Sequence, residues 1–252
     1  MTSLRTGCLC TTFAITVVVH VPAPAAAQTL SPQTPAPKVS RAFSGVFQDT
    51  VTDFRGLAST KPLTILGIGA IAAAAVHVAD PSMTSMLATE RASFLGPGET
   101  IGSARMQLAG ALATFAAGHI TGNAKITAVG ADLVSANIVA QTLTGAVKMS
   151  VRRGRPDGTE FSFPSGHTSV SFATATVLQR HYGWKVGVPA YAMASYVAAS
   201  RIHDKRHFLS DVAFGAAVGI VSGWTVTMGP GDAQVTMSPV ASPGGAGLSL
   251  SW

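Results

Sequence analysis

The chain has 252 residues, which is enough for one sizeable hydrophobic core and too few to favour two large domains. Only 11% of the residues are charged and the mean hydropathy is +0.37, so the chain either meets a membrane or buries most of its helical surface. The net charge of +6 favours an anionic partner, but the basic residues neither alternate with aromatics nor form one stripe, which argues against nucleic acid.

Residues 1–27 have the pattern of an export signal. Arg5 gives a positive start, residues 13–21 are apolar, and three alanines precede Gln28 as a small-residue cleavage site. The alternative is a first membrane anchor, but the short apolar stretch and its small-residue exit favour cleavage. Both cysteines of the chain lie within this segment, so the mature protein would have no disulfide and no cysteine-based nucleophile or metal site. We therefore expect an exported, periplasmic protein.

Residues 28–60 form a leader in two parts. Residues 28–40 hold three prolines among Ser, Thr and Gln, which predicts a flexible segment. From Arg41 to Arg55, apolar residues recur at helical spacing with polar residues between them. This predicts a short amphipathic helix that packs on the core, with a membrane-surface helix as the alternative.

Residues 61–228 are expected to form the main domain, and its apolar segments predict an all-α fold with a six-helix core. Gly, Pro and polar clusters separate the segments, and none of them alternates with the two-residue period of a strand. The segments are Pro62–Ala79, Met106–Ile120, Ile126–Val147, Thr168–Arg180, Gly187–Ser200 and Val212–Met228.

The relation of these segments to a membrane differs from one to the next. Only Pro62–Ala79 approaches the length and apolar character of a span, and even it contains His77. Ile126–Val147 is long enough but includes Asp132 and other polar residues, and the remaining segments are short. The pattern favours a compact helical protein that is soluble or membrane-associated, with an integral membrane protein as the alternative.

The tail, residues 229–252, has a different pattern. Apolar and polar residues alternate around Val235, residues 243–245 (Pro-Gly-Gly) turn the chain, and the alternation resumes from Leu248. This predicts a small C-terminal β-hairpin, which we expect to cover an apolar surface.

Three polar clusters interrupt the apolar pattern of the main domain. The first, Lys148–Pro156, carries four cations, but such a run is usually a solvated face and is weak evidence by itself. The second, Phe163–Thr168, is a Pro-Ser-Gly turn that leads into a helix, where backbone N–H groups suit phosphate oxygens. Its alternative interpretation is an ordinary helix N-cap beside an uninvolved His167.

The third cluster runs from Ser200 to Asp211. His207 and Asp211 are four residues apart, so on a helix they share a face and the carboxylate can hold one imidazole N–H. That contact fixes the tautomer and leaves the other ring nitrogen free to act as a nucleophile. Such a pair is common on protein surfaces and means little alone.

Together the clusters have the pattern K-x6-RP, then PSGH, then SR-x5-H-x3-D, and the chain matches every fixed position. This set resembles the type 2 phosphatidic acid phosphatase (PAP2) superfamily, which shares its site with bacterial class A acid phosphatases and vanadium haloperoxidases. The short link Asp157–Phe163 joins the first two motifs in fewer residues than in many members. A substrate-selecting loop placed there in other members is therefore missing.

The resemblance implies a role for each matched position. His207 would attack phosphorus and become phosphohistidine, Asp211 would orient it, and His167 would protonate the leaving alkoxide and later activate water. No metal or other cofactor is implied, because no His, Asp and Glu cluster has ligand spacing and cations at a helix N-terminus can neutralise a phosphate. The phosphate oxygens would be bound by Lys148, Arg155, Ser165, Gly166 and Arg201.

The remaining histidines of the main domain and the other cations of the clusters are not predicted to act in catalysis. His77 and His119 lie in apolar segments and are predicted to be satisfied core histidines, while His203 is predicted to lie on the surface. The remaining cations of the clusters are interpreted as sources of positive potential that attract anions: Arg152, Arg153, Lys205 and Arg206.

The sequence thus predicts a metal-independent phosphatase for phosphomonoesters or diphosphates. The apolar composition favours a lipid substrate, such as a phosphatidate-like lipid or an isoprenyl diphosphate, and membrane contact. A soluble non-specific acid phosphatase is the close alternative. A vanadium-dependent haloperoxidase is another, although those enzymes are generally larger and line a halide pocket with aromatics, which are only 7% of this chain. A non-enzymatic exported module would leave the complete set of cations and histidines idle.

Overall fold

The computed structural model describes residues 50–51, 53–54, 56–57, 59–228, 236–242 and 245–251. The chain is mainly helical between residues 60 and 227, and 3-10 turns at His77–Ala79 and Glu90–Leu95 flank the second helix. The helices are α1 (Thr60–Val76), α2 (Asp80–Leu87), α3 (Gly98–Ile101), α4 (Ala104–Thr121), α5 (Ala124–Val151), α6 (Gly166–Tyr182), α7 (Trp184–His203) and α8 (Leu209–Thr227).

Local sequence signals set the boundary between α4 and α5. Ser103 Oγ accepts a hydrogen bond from the N–H of the third residue of α4 at 3.2 Å, and Asn123 Oδ1 accepts two from the first turn of α5 at 3.1 Å. Gly122 ends α4 with φ at +65°, a left-handed conformation that glycine adopts without a Cβ clash. The turn between these two helices is therefore short and sharply defined.

The core lies between α5, α6 and α8 and is built mainly from Ala, Val, Ser and Thr. Gly215, Gly219 and Gly223 recur every four residues on α8, so they share one face of the helix. A Cβ added at Gly219 would lie 2.3 Å from the carbonyl oxygen of Ser169 on α6. The two helices are thus packed so closely that their contact leaves no room for larger side chains.

Helix α1 runs antiparallel to α8. Asp80, just beyond the end of α1, accepts a hydrogen bond from the N–H of Ser210 at the start of α8. At the other end, Lys61 Nζ lies 5.1 Å from the ring centroid of Trp224. Helix α8 has 19 residues, which corresponds to roughly 28 Å between its ends. The first residues of α1 and the first residues of α8 therefore lie at opposite ends of the helical domain.

The all-α prediction is confirmed for the main domain, and each of the six predicted apolar segments overlaps one long helix. The number of helices differs, because α2 and α3 add two short ones among the described residues. Pro81 lies in the first turn of α2, where its missing N–H has no intrahelical partner to lose, so it begins a helix rather than a loop.

Within the described part of the chain, three segments are long and apolar enough to cross a membrane, namely Thr60–Leu87, Ala124–Val151 and Leu209–Thr227. The sequence pattern singled out only the first, because the polar residues of the second counted against it. In the first segment, Ile71 and Val78 are 72% and 86% exposed, whereas the other two segments are mostly buried inside the protein. Such an exposed apolar helix indicates contact with a membrane.

The tail contains two strands, β1 (Thr236–Ser242) and β2 (Gly245–Ser251), which pair antiparallel with Thr236 opposite Ser251. They belong to a separate unit of the chain, and their role as a cover stays a prediction. The export signal and the Pro-rich leader lie outside the described residues. Most of the predicted amphipathic helix also does, although residues 50, 51, 53 and 54 are helical.

Candidate active site

The residues of the three motifs meet at one end of the helical domain. The carbonyl oxygen of Asp211 accepts a hydrogen bond from the N–H of Ser165 at 3.1 Å, and that of Arg201 accepts one from the N–H of His207 at 3.1 Å. His167 lies close enough to four of these residues for electrostatic interaction with each, namely Arg201, His207, Lys148 and Arg155. The ends of α5 and α7 and the beginnings of α6 and α8 thus bring the predicted site residues together.

The short link between the first two motifs folds back on the site. Lys148 Nζ donates a hydrogen bond to the carbonyl oxygen of Phe161 at 2.6 Å, and the N–H of Arg155 donates to the carbonyl oxygen of Thr159 at 2.7 Å. Asp157 contacts Arg206 at 2.9 Å. The link therefore positions two of the predicted phosphate-binding cations, although it is too short to form a lid.

The beginning of α6 is capped by Ser165, which is fully buried. Its Oγ accepts hydrogen bonds from the N–H of Thr168 at 3.4 Å and from the Thr168 hydroxyl at 2.9 Å. Ser165 is thus the N-cap of α6, and a capped helix N-terminus is compatible with anion binding. The first-turn N–H groups, beginning with Gly166, have no partner within the helix and carry its positive dipole end.

Arg201 is almost fully buried, with 2% of its surface exposed. One of its terminal nitrogens donates to Asp204 at 2.8 Å, and the other lies 3.9 Å from a carboxylate oxygen of Glu99. Among the described residues, its Nε has no hydrogen-bond partner, and neither does the buried Nε of Arg155. Buried donors without partners are rare in folded proteins, so these two nitrogens mark a place where an anion fits.

His207 and Asp211 are both buried, with 4% and 0% of their surfaces exposed. His207 Nδ1 lies 3.7 Å from Asp211 Oδ2, which is longer than a hydrogen bond, and has no other partner. The same carboxylate accepts hydrogen bonds from Ser162 Oγ and from the N–H of Phe208. The side chains of His207 and Asp211 therefore face each other, but the hydrogen bonds that hold the carboxylate come from other donors.

Burial and positive charge keep both histidines neutral. Burial, followed by the cations Arg201 and Lys148 among its neighbours, lowers the pKa of His167 to about 4. Burial also lowers the pKa of His207. A neutral imidazole has a free lone pair, which a nucleophile requires. The site therefore combines two uncharged imidazoles with three cations.

Several functional interpretations from the sequence are corrected by the structure. Arg153 is not a diffuse source of potential, because its guanidinium donates to Asp211 and to the buried Asp80. His77 and His119 are exposed rather than buried in the core. The motif pattern leaves position 153 free, and no sequence signal relates Asp80 to residues so far along the chain.

Comparisons with known proteins agree with this geometry. Residues 129–233 match the PAP2 superfamily. Over 85 residues, 32% of this chain and 19% of the relative, the chain is 47% identical to a lipid A 1-phosphatase of Porphyromonas gingivalis. Over 79 residues, 26% of this chain and 28% of the relative, it is 38% identical to a probable diacylglycerol pyrophosphate phosphatase 1 of Schizosaccharomyces pombe. The matches thus span less than a third of the length of either relative.

A solved structure has the same fold. It is described as the first transmembrane PAP2 type phosphatidylglycerolphosphate phosphatase from Bacillus subtilis, and it is similar with a TM-score of 0.54 at 22% identity. The similarity covers 66% of this chain and 94% of that one. The match over residues 129–233, the shared fold and the three assembled motifs agree, and this part of the chain is therefore similar to the PAP2 superfamily.

Proposed function

We propose that this protein is a membrane-associated lipid phosphatase that hydrolyses a phosphomonoester or diphosphate through a phosphohistidine intermediate. One observation carries the proposal: within the part of the chain that the structure describes, the buried Nε atoms of Arg155 and Arg201 have no hydrogen-bond partner, and both arginines belong with His207 to one charged cluster beside a helix N-terminus. A phosphate group supplies oxygens to the two guanidinium donors and an electrophilic phosphorus to the imidazole. A neutral ligand would leave the positive charge of these guanidinium groups unbalanced, and a cationic ligand would add to it.

The first chemical step is attack on phosphorus. Asp211 faces Nδ1 of His207, so Nε2 is the ring nitrogen that forms the new N–P bond while the P–O bond to the leaving group breaks. The developing charge on the phosphoryl oxygens is balanced by Lys148, Arg155 and Arg201. His167 gives its proton to the leaving alkoxide, and the bound phosphate dianion favours the protonated form of His167 before this transfer.

The second step regenerates the enzyme. His167, now neutral, removes a proton from water, and the resulting hydroxide attacks phosphorus while the N–P bond to His207 breaks. When inorganic phosphate leaves, His207 is again neutral and His167 loses to solvent the proton that it took from water, so both histidines return to their neutral forms. The mechanism requires no metal ion, because the cations and the N–H groups of α6 occupy the role that Mg²⁺ has in other phosphoryl-transfer enzymes.

A lipid substrate is supported by the surface next to the site. The exposed apolar side chains of α1 continue towards Val78, close to the end of the domain where the motifs meet. The names of the three similar proteins described above are those of phosphatases that act on lipid phosphates. We therefore propose a phosphatidate-like lipid or an isoprenyl diphosphate as the substrate class.

Phosphate release by the detergent-purified protein tests the function. The panel compares phosphatidate, phosphatidylglycerol phosphate, isoprenyl diphosphate and p-nitrophenyl phosphate, each with and without excess EDTA. We expect lipid substrates to be preferred and EDTA to have no effect. Preference for p-nitrophenyl phosphate would indicate a non-specific acid phosphatase, and loss of activity that Mg²⁺ restores would contradict the mechanism.

Labelled substrate tests the covalent intermediate. His207→Ala should abolish turnover and remove the label that an alkaline quench retains on the wild-type protein, because no other group is placed to attack phosphorus. An acid quench is unsuitable, since phosphohistidine is acid-labile. His119→Ala, at an exposed position on α4, is the matched control and should keep both activity and label. Label that persists on His207→Ala would reject the assignment of the nucleophile.

A further inference from the structure

Arg153 forms a fork between two buried carboxylates. Its Nη1 donates to Asp211 Oδ1 at 2.7 Å and to Ser210 Oγ at 2.7 Å, and its Nη2 donates to Asp80 Oδ2 at 2.8 Å. The guanidinium also lies 4.3 Å from the ring centroid of Phe208. The charge-assisted hydrogen bonds to the two carboxylates and the contact with the Phe208 ring together fix the orientation of the Arg153 guanidinium.

Asp80 completes the other half of this network. It is 2% exposed and accepts hydrogen bonds from both the N–H and the hydroxyl of Ser210, at 2.8 and 2.7 Å. Its Oδ2 also lies 2.8 Å from His77 Nδ1. A buried carboxylate is tolerated only when its oxygens are satisfied in this way. The network thus fastens the first turn of α8 to the beginning of α2.

We infer that Arg153, anchored by Asp80, is a positioning residue that fixes the carboxylate of Asp211 relative to His207. Arg153 holds Oδ1 of Asp211, while Oδ2 faces the imidazole at 3.7 Å. Rotation of this carboxylate would change the side of the imidazole that carries the proton and hence the nucleophilicity of the other nitrogen. The inference rests on the proposed function, since it concerns the same nucleophile.

The geometry separates this role from phosphate binding. Both terminal nitrogens of Arg153 donate hydrogen bonds to protein groups, whereas Arg155 and Arg201 each keep a buried Nε without a partner among the described residues. Loss of Arg153 should therefore slow attack on phosphorus and leave substrate binding intact. Loss of a phosphate-binding cation should instead weaken binding as well.

The main test is Arg153→Gln, with Arg152→Gln as the matched control. Arg152 is the preceding cation, is exposed, and donates from Nε to the carbonyl oxygen of Met149 rather than to this network. For Arg153→Gln we expect kcat and the rate of phosphoenzyme formation to fall roughly 10- to 100-fold, the range for lost second-layer contacts. KM and inhibition by inorganic phosphate should stay within about twofold, and Arg152→Gln should match the wild type.

Two further variants keep the test decisive if Arg153→Gln folds poorly. Arg153→Lys retains the charge but cannot bridge two carboxylates, so it should recover little of kcat. Asp80→Asn leaves Arg153 in place without its anchor, and its effect on kcat should not add to that of Arg153→Gln. Additive effects, or equal losses of kcat and phosphate binding, would overturn the inference. An inactive wild-type protein would instead reject the proposed function.

Discussion

At the scale of single residues, the charge of the site is set by burial. His167 is half-buried beside several cations, which lowers its pKa to about 4, so its imidazole is neutral at pH 7. A general acid must carry a proton, and the phosphate that arrives with the substrate provides the negative charge that favours this protonation. In the proposed mechanism, the substrate would therefore favour protonation of His167, the acid that releases its leaving group.

This pKa has a measurable consequence for stability. The ordinary pKa of a histidine is 6.5 and that of folded His167 is about 4, so the unfolded chain binds the proton more readily between these values. The stabilisation by neutral His167 is complete above pH 6.5 and is lost as the pH falls towards 4. We expect the midpoint of thermal unfolding in detergent to fall over this range, and to fall less in His167→Gln. An equal fall in both proteins would contradict the assignment.

At the scale of elements, the position of the site depends on the contact between α6 and α8. A Cβ at Gly215 would lie 2.8 Å from the carbonyl oxygen of Ser165, the cap of the helix whose N–H groups are proposed to bind phosphate. Farther along, Gly219 makes the closer approach to Ser169. Any separation of these helices would therefore move the beginning of α6 away from His207.

Gly219→Ala tests this dependence. The added methyl group has no space, so we expect a destabilisation of about 1–3 kcal/mol by overpacking, together with a loss of activity. Gly145→Ala on α5 is the control, because no atom lies within 4 Å of its added Cβ. It should be neutral or stabilising by up to about 1 kcal/mol through helix propensity. Thermal unfolding and kcat of the two variants provide the comparison, and equal behaviour would refute the packing argument.

The elements also show what could be predicted from the sequence. Helical periodicity predicted the six long helices, and the motif pattern predicted which side chains meet, because both signals lie within short stretches of chain. The role of Arg153 could not be predicted, since its partner Asp80 is 73 residues away in sequence. The exposure of His77 was also mispredicted, because an apolar segment does not indicate whether its apolar face meets protein or lipid.

At the scale of the whole molecule, three apolar segments change the expected behaviour in a membrane. The sequence pattern favoured a compact helical protein that is soluble or membrane-associated, with an integral membrane protein as the alternative. Segments long enough to span, one of them with most of its surface exposed, now favour retention in the membrane pellet. We expect extraction to require detergent. Release of the full-length protein by carbonate alone would show that these helices do not cross the bilayer.

The antiparallel arrangement of α1 and α8 also determines on which side of a membrane the candidate site would lie. A chain inserted through these helices displays Thr60 and Thr227 in one compartment and His207 in the other. If residues 28–59 do not cross, an N-terminus released outside by signal cleavage leaves the site facing the cytoplasm. A site that faces the exported side instead requires α1 to begin, at Thr60, on the cytoplasmic side of the membrane. The fate of the first 27 residues thus decides which leaflet supplies the phosphorylated lipid.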